Sequence, residues 1–270
     1  MIDNVAKIRP GLKSKKLPTL SIIYLFLVLL FLLLIFVWQY LIVSKILPEF
    51  FFGRPSLIFN RILDWFSSGM IYPHLITTLI ETIFAFIIGV ISGSAAGLWL
   101  GLSPLSAAML DPYVKALNAM PRVILAPIFL VWFGLGMGSK IALGITLVFC
   151  VVFFNVFQGV KEVNNIVLAN AKVLGATSTQ LLKSVYVPSA LSWMFSSLHT
   201  AVGMAFVGAV VGEYLGSASG IGYLILQAES VFDINAVLAG ILVLTIFALI
   251  LDWIVSKVEK RLLNWSPNHE

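Results

Sequence analysis

Apolar residues fall in long runs along the chain, and polar residues collect between them. Five runs, residues 22–43, 75–100, 141–158, 190–211 and 234–251, reach or approach the length of helix, about 20 residues, that crosses the hydrocarbon of a bilayer. A sixth stretch, 109–133, is less regular. Pro112, Pro121 and Pro127 interrupt it, and it holds Asp111, Lys115 and Arg122, so it predicts a kinked span. The pattern as a whole predicts an all-α membrane protein of about six transmembrane helices. Between two of the spans, segment 159–188 is too polar for lipid, yet Ile166, Val167, Val173, Leu174, Leu181 and Leu182 recur at roughly helical spacing. Two short amphipathic helices turning at Gly175 fit it. An apolar face kept outside the bilayer points to a docking partner, the alternative being a hairpin lying on the membrane surface.

Composition agrees: 60% of residues are hydrophobic and 11% charged, and the mean hydropathy is +1.03, more apolar surface than a soluble core of 270 residues could bury. The first run is too long for a signal peptide and lacks a small-residue cleavage site. The net charge of +5 does not imply nucleic acid, because the cations gather at the two ends and in the polar loop, where anionic headgroups would meet them. With the N-terminus inside, twelve of the 17 Lys and Arg residues are cytoplasmic, Lys45, Arg54, Arg61 and Lys140 are outside, and Arg122 is left within a span. That bias places both termini and loop 159–188 in the cytoplasm. The resulting order is a basic tail (1–20), a first span (21–43), an external segment (44–74), a core transmembrane domain (75–258) containing the loop, and a C-terminal tail (259–270).

Gly89, Gly93, Gly97 and Gly101 recur every four residues and so share one helix face, as Gly208 and Gly212 do, followed by Gly216 and Gly220. Such faces let another backbone approach closely, within one subunit or at a subunit interface. Chemistry-bearing clusters are lacking in the sequence. Its three histidines, His74, His199 and His269, lie far apart, no Cys/His/carboxylate spacing suits a metal, and Cys150 has no second cysteine to pair with. The glycines at 134, 136 and 138 do not form the Gly-Lys-Ser/Thr phosphate loop, so ATP hydrolysis is not expected on this chain.

The polar loop resembles the coupling motif of the inner-membrane permease subunits of binding-protein-dependent ABC importers: Glu-Ala-Ala, three residues, Gly, nine residues, Ile-x-Leu-Pro. Here it reads Ala169-Asn170-Ala171, then Gly175, then Val185-Tyr186-Val187-Pro188. The spacing is kept, although Ala169 stands in place of the glutamate. The resemblance runs from about Leu47 to Arg261 and is strongest for the nitrate/sulfonate/taurine group. It is carried also by Leu47-Pro48, by Met120-Pro121-Arg122, by the stretch from Trp132 to Gly136, and by Val211-Gly212-Glu213 followed by Gly220-Ile221-Gly222.

The resemblance implies a type I importer in a bacterial inner membrane. Two permeases, read as a homodimer by analogy, pair with two cytoplasmic ATPase subunits that carry the ATP and Mg, and an extracytoplasmic binding protein feeds them. Ala169, Asn170, Ala171, Val173, Leu174, Gly175, Leu181 and Pro188 would then form the coupling loop, with Val173, Leu174 and Leu181 entering an ATPase groove.

Charged residues inside spans are suspects for the transport pathway. Arg122, beside Pro121, is read as attracting an anion or else as a helix-end or headgroup contact. Glu213 is read as an outer gate, a binding-protein contact or a plain interfacial carboxylate. Glu81, His199 and Asp252 are read as pathway groups or as pairs inside the bundle. The expected substrate is a small anion such as a sulfonate, nitrate or carboxylate, with vitamin precursors as an alternative. A self-contained secondary carrier or channel and a non-transporting scaffold are the readings from other classes.

Overall fold

A computed structural model describes residues 19–262, and every regular element among them is helical. Most of the basic N-terminal tail and the last eight residues, His269 among them, lie outside the described residues. The chain divides into two compact units, one ending at Leu57 and one beginning at Ile58. The first holds α1 (Thr19–Val43), an apolar helix of membrane-spanning length, and the single turn α2 (Glu49–Phe52). The Gln39 amide donates to Ser56 Oγ at 3.3 Å and accepts from Ser56 N at 3.2 Å, which ties the end of this unit together. Helix α3 (Pro55–Ser67) begins there and is amphipathic.

The second unit is built on three long helices, α4 (Ile71–Leu102), α7 (Met137–Lys161) and α10 (Val187–Leu215), with α7 packed against both others. The glycine face of α4 is the reason they pack so closely. A Cβ at Gly89 would stand 2.6 Å from Val148, one at Gly93 2.7 Å from the Phe149 carbonyl oxygen, one at Gly97 2.8 Å from that of Phe153, and one at Gly101 2.7 Å from Val160. Val148, Val152, Val156 and Val160, four apart on α7, form the ridge that fills this groove.

The other face of α7 meets α10, where Gly208 lies directly on Gly144 and Gly212 on Lys140. The glycine faces therefore serve packing inside one subunit. A larger residue at Gly93 or Gly97 would have to move backbone rather than a flexible side-chain tip, an overpacking that costs about 1–3 kcal/mol.

Around this core run α5 (Pro104–Ala119) and α6 (Ala126–Phe133), the external helix α11 (Ile221–Ser230), and α12 (Ile234–Leu262). Among the described residues five helices are long and apolar enough to span, or six when α5 and α6, bent by 87° at the break between them, are taken as one span. The bend has a local cause. Pro121 has no N–H to give the Leu117 carbonyl, and a 3₁₀ turn (Arg122–Leu125) carries the chain into α6.

The long helices also outrun their apolar stretches. α4 begins four residues before its predicted start, and α12 continues eleven residues past Leu251 through Asp252, Lys257 and Glu259. Between the last two long helices the chain is not a bare loop, since it holds α11.

Candidate functional site

Three polar regions stand out, at the cytoplasmic end, at the broken span and at the outer end. At the cytoplasmic end, α7 leads into α8 (Asn165–Val173), whose N-cap Asn164 accepts from Ile166 N at 2.8 Å. The turn after it requires glycine: Gly175 has φ +83°, and the 172–176 backbone closes with bonds from Gly175 N to the Lys172 oxygen and from Ala176 N to the Ala171 oxygen, each 3.0 Å.

A capping box between Thr177 and Gln180 starts α9 (Ser178–Leu181). A π turn (Leu182–Tyr186) then runs without a break into α10 at Val187 and Pro188. Ser189 Oγ donates to the Gly159 oxygen at 2.7 Å, which binds the base of the loop to α7.

Val173 and Leu174 are the most exposed apolar side chains of this loop, at 86% and 87%, with Ala169 and Asn170 exposed on the same short helix and Ala171 half-buried. Leu181 departs from expectation. It was expected to project with Val173 and Leu174, but it is only 8% exposed and lines a depression of about 330 Å³ with Leu174, Gly175 and Val185. The Thr177 cap sets the phase of the four-residue helix and turns Leu181 inward.

At the broken span, Arg122 stands where Pro121 opens the helix. Its Nη2 donates to the Leu117 oxygen at 3.3 Å, the Asn118 oxygen at 3.5 Å and Asn118 Oδ1 at 3.3 Å. The side chain thus satisfies the two carbonyls that the N–H groups of residues 121 and 122 would have served in an unbroken helix. Its Nε is buried and finds no acceptor, and no acidic side chain among the described residues pairs with it. The helix-end reading of Arg122 is realised, and part of its donor capacity is left over.

At the outer end, the side chains of α4 and α10 cap the N-terminus of α11. Gly220 N donates to His74 Nδ1 at 3.0 Å, Ile221 N to Thr78 Oγ1 at 3.1 Å, and Gly222 N to Glu213 Oε2 at 2.8 Å; Thr78 Oγ1 in turn donates to Glu213 Oε1 at 2.6 Å. Three consecutive N–H groups that a helix start leaves open are met in this way. The glycines follow from it: Gly220, at φ +106°, has no room for a Cβ beside the Glu213 carboxylate, and a Cβ at Gly222 would stand 2.5 Å from the Val210 oxygen.

Glu81 and Lys140 complete the cluster. Lys140 Nζ donates to the Leu135 oxygen and, at 3.0 Å, to the Gly136 oxygen, while Glu81 lies against Glu213 and Lys140. Glu81 is 1% exposed, and Glu213 and Lys140 are not exposed at all. Of the two readings of Glu81, pathway group or bundle interior, this burial supports the second, and Glu213 is likewise enclosed by its own chain. Both are buried within one bundle: Glu213 accepts from Thr78 and Gly222, whereas both carboxyl oxygens of Glu81 are buried without a hydrogen-bond partner.

Lys140, counted by sequence as an outer-loop cation, is part of that bundle. The signal was present in the spacing of His74, Thr78 and Glu81, which places three polar side chains on one face of an apolar helix. His199 lies elsewhere, half-buried on α10, with Nδ1 2.9 Å from Asp252 and Nε2 2.6 Å from Glu259 of α12.

Comparison with known proteins adds to this geometry. Residues 93–264 match the profile of the family described as binding-protein-dependent transport system inner membrane component. The chain is 28% identical to the taurine transport system permease protein of Escherichia coli over 234 residues, 85% of each chain. It is 31% identical to the formylaminopyrimidine transport permease protein of Halalkalibacterium halodurans over 211 residues, 78% of this chain and 84% of that one. Among solved structures, a crystal structure of an amino acid ABC transporter with histidines superposes with a TM-score of 0.59 at 18% identity, covering 73% of this chain and 98% of that chain.

Proposed function

The chain belongs to the family of binding-protein-dependent transport system inner membrane components and is a multi-pass permease subunit of an ABC importer of the bacterial inner membrane; from that premise we propose that it passes a small organic anion inward when separate ATPase subunits act on its cytoplasmic loop. One observation carries the coupling. The docking loop continues through α9 and the π turn into α10, which is locked to α7 by glycine contacts, as α7 is to α4. Force applied at Val173 and Leu174 therefore moves a rigid three-helix block rather than a floppy loop.

ATP and Mg belong to the ATPase partner, and an extracytoplasmic binding protein delivers the substrate. A second copy of the chain completes the pathway. Helix α5, which buries none of its residues within one chain, supports such a pairing. Rotation of the two blocks relative to one another exchanges inward and outward openings, as alternating access requires.

The anion is favoured by Arg122, a cation at the break of a spanning helix without a carboxylate partner. The relatives divide between a sulfonated amine, taurine, and a neutral pyrimidine. The test is ATP-driven uptake in proteoliposomes holding the chain, its ATPase and its binding protein. Small alkanesulfonates or carboxylates are expected to be transported, or to inhibit competitively, at concentrations where pyrimidine precursors and riboflavin do neither. Transport of the neutral vitamins alone would overturn the anion assignment.

A further inference from the structure

Between α4, α5 and α7 lies a groove of about 170 Å³ whose floor is Cys150 and Phe153, both buried, and whose rim is Trp99, Tyr113 and Leu117, all exposed. No charged side chain lines it. A guanidinium lies next to it: Arg122 Nη2 is bonded to the carbonyl of Leu117, a rim residue, and the same guanidinium interacts with the Cys150 thiol of the floor. A guanidinium beside an apolar groove, with a buried, unpartnered Nε and no carboxylate paired with it among the described residues, is stabilised by an anion.

We propose that this groove is a binding site for a small organic anion with an apolar body, its acid group on Arg122 and its body against Phe153, Phe154 and Tyr113. The volume sets the class. An apolar cavity of about 150 Å³ accepts benzene, so a short alkane- or arylsulfonate or a carboxylate of similar size fits, and a fused three-ring vitamin does not. The inference rests on the small-anion reading above and assigns it a place in the molecule, away from the sealed cluster of Glu81, Lys140 and Glu213.

Cys150 is the one cysteine of the chain, so the groove carries its own reporter. With the whole transporter in nanodiscs, the modification rate of Cys150 is followed by mass spectrometry. The reagents are sulfonatoethyl methanethiosulfonate, an anion, and its trimethylammonioethyl counterpart, a cation. Each rate is divided by that of the same reagent on 2-mercaptoethanol. The ratio of the two cancels any change in thiol ionisation and reads charge selection alone.

A preference for the anion of about tenfold or more is expected, retained by Arg122→Lys and lost in Arg122→Gln. In the unsubstituted protein, butanesulfonate is expected to slow the anionic reagent several-fold while butylammonium does not; this arm stands even if a variant fails to fold. Two results would overturn the site: a ratio near one that ignores Arg122→Gln, or no protection by butanesulfonate. Modification by an uncharged, oil-soluble thiosulfonate alone would identify a lipid-filled groove and overturn it as well. ATP-driven uptake is measured separately, so a failed groove leaves the transport reading standing, and a failed transport reading leaves the labelling pattern to be read by itself.

Discussion

Replacing Val173 and Leu174 together by aspartate is expected to abolish ATP-driven uptake and to release the ATPase from the purified complex, while the chain still inserts and folds. Both side chains are almost fully exposed and contribute nothing to the core of their own chain, so their loss costs the monomer little. At an interface, a central apolar anchor is worth about 2 kcal/mol or more when removed. Two such anchors replaced by charges that must be desolvated weaken association by about a thousandfold.

Copurification from mild detergent reads the effect directly, and thermal stability of the isolated permease serves as the control. Retention of stoichiometric ATPase by the double variant would place the docking surface elsewhere. Substitution at Gly175 acts differently. A Cβ there meets nothing within 4 Å, so valine disturbs the loop only through the left-handed backbone, by about 1–2 kcal/mol.

Lys140→Met is expected to be the most damaging single change to the fold. It removes the buried ammonium that interacts with the buried Glu81 and Glu213 carboxyls, and leaving buried acidic groups without it costs about 3–5 kcal/mol. It also frees the carbonyls of Leu135 and Gly136, which hold the external turn between α6 and α7.

The second change that identifies the cause is Glu81→Gln in the same chain. Removing one carboxylate should restore most of the lost stability, whereas two independent packing defects would add. The measurement is the fraction of folded, monodisperse protein after a heating step for both single variants and the pair. A Lys140→Met protein as stable as the parent would show that the cluster is not held by charge balance.

The spans were legible because a bilayer demands a fixed length of apolar helix, and proline at 121 marked the broken one. Their ends were less so: a helix is extended by its backbone bonds beyond the point where charges stop an apolar count, as α12 shows beyond Leu251. The glycine face of α4 was plain from its four-residue period, but its counterpart, the valine ridge of α7, carries no signal until the two are brought together.

The helix-turn-helix of loop 159–188 could be placed through Gly175 and the spacing to Pro188. The burial of Leu181 could not, since the phase of a single-turn helix is decided by one cap and by the turn that follows. The charged residues were hardest. Glu81, Lys140 and Glu213 are far apart in sequence, and a buried ion in a membrane helix reads as a transport group until its partners are seen.

The measurement that tests the central claim most directly is substrate uptake by proteoliposomes in which the chain, the ATPase subunit and the binding protein are omitted one at a time. Uptake that needs all three together with hydrolysable ATP, and that the Val173/Leu174 double variant loses, is the predicted result. Uptake by this chain alone, driven by an ion gradient and indifferent to ATP, would contradict it.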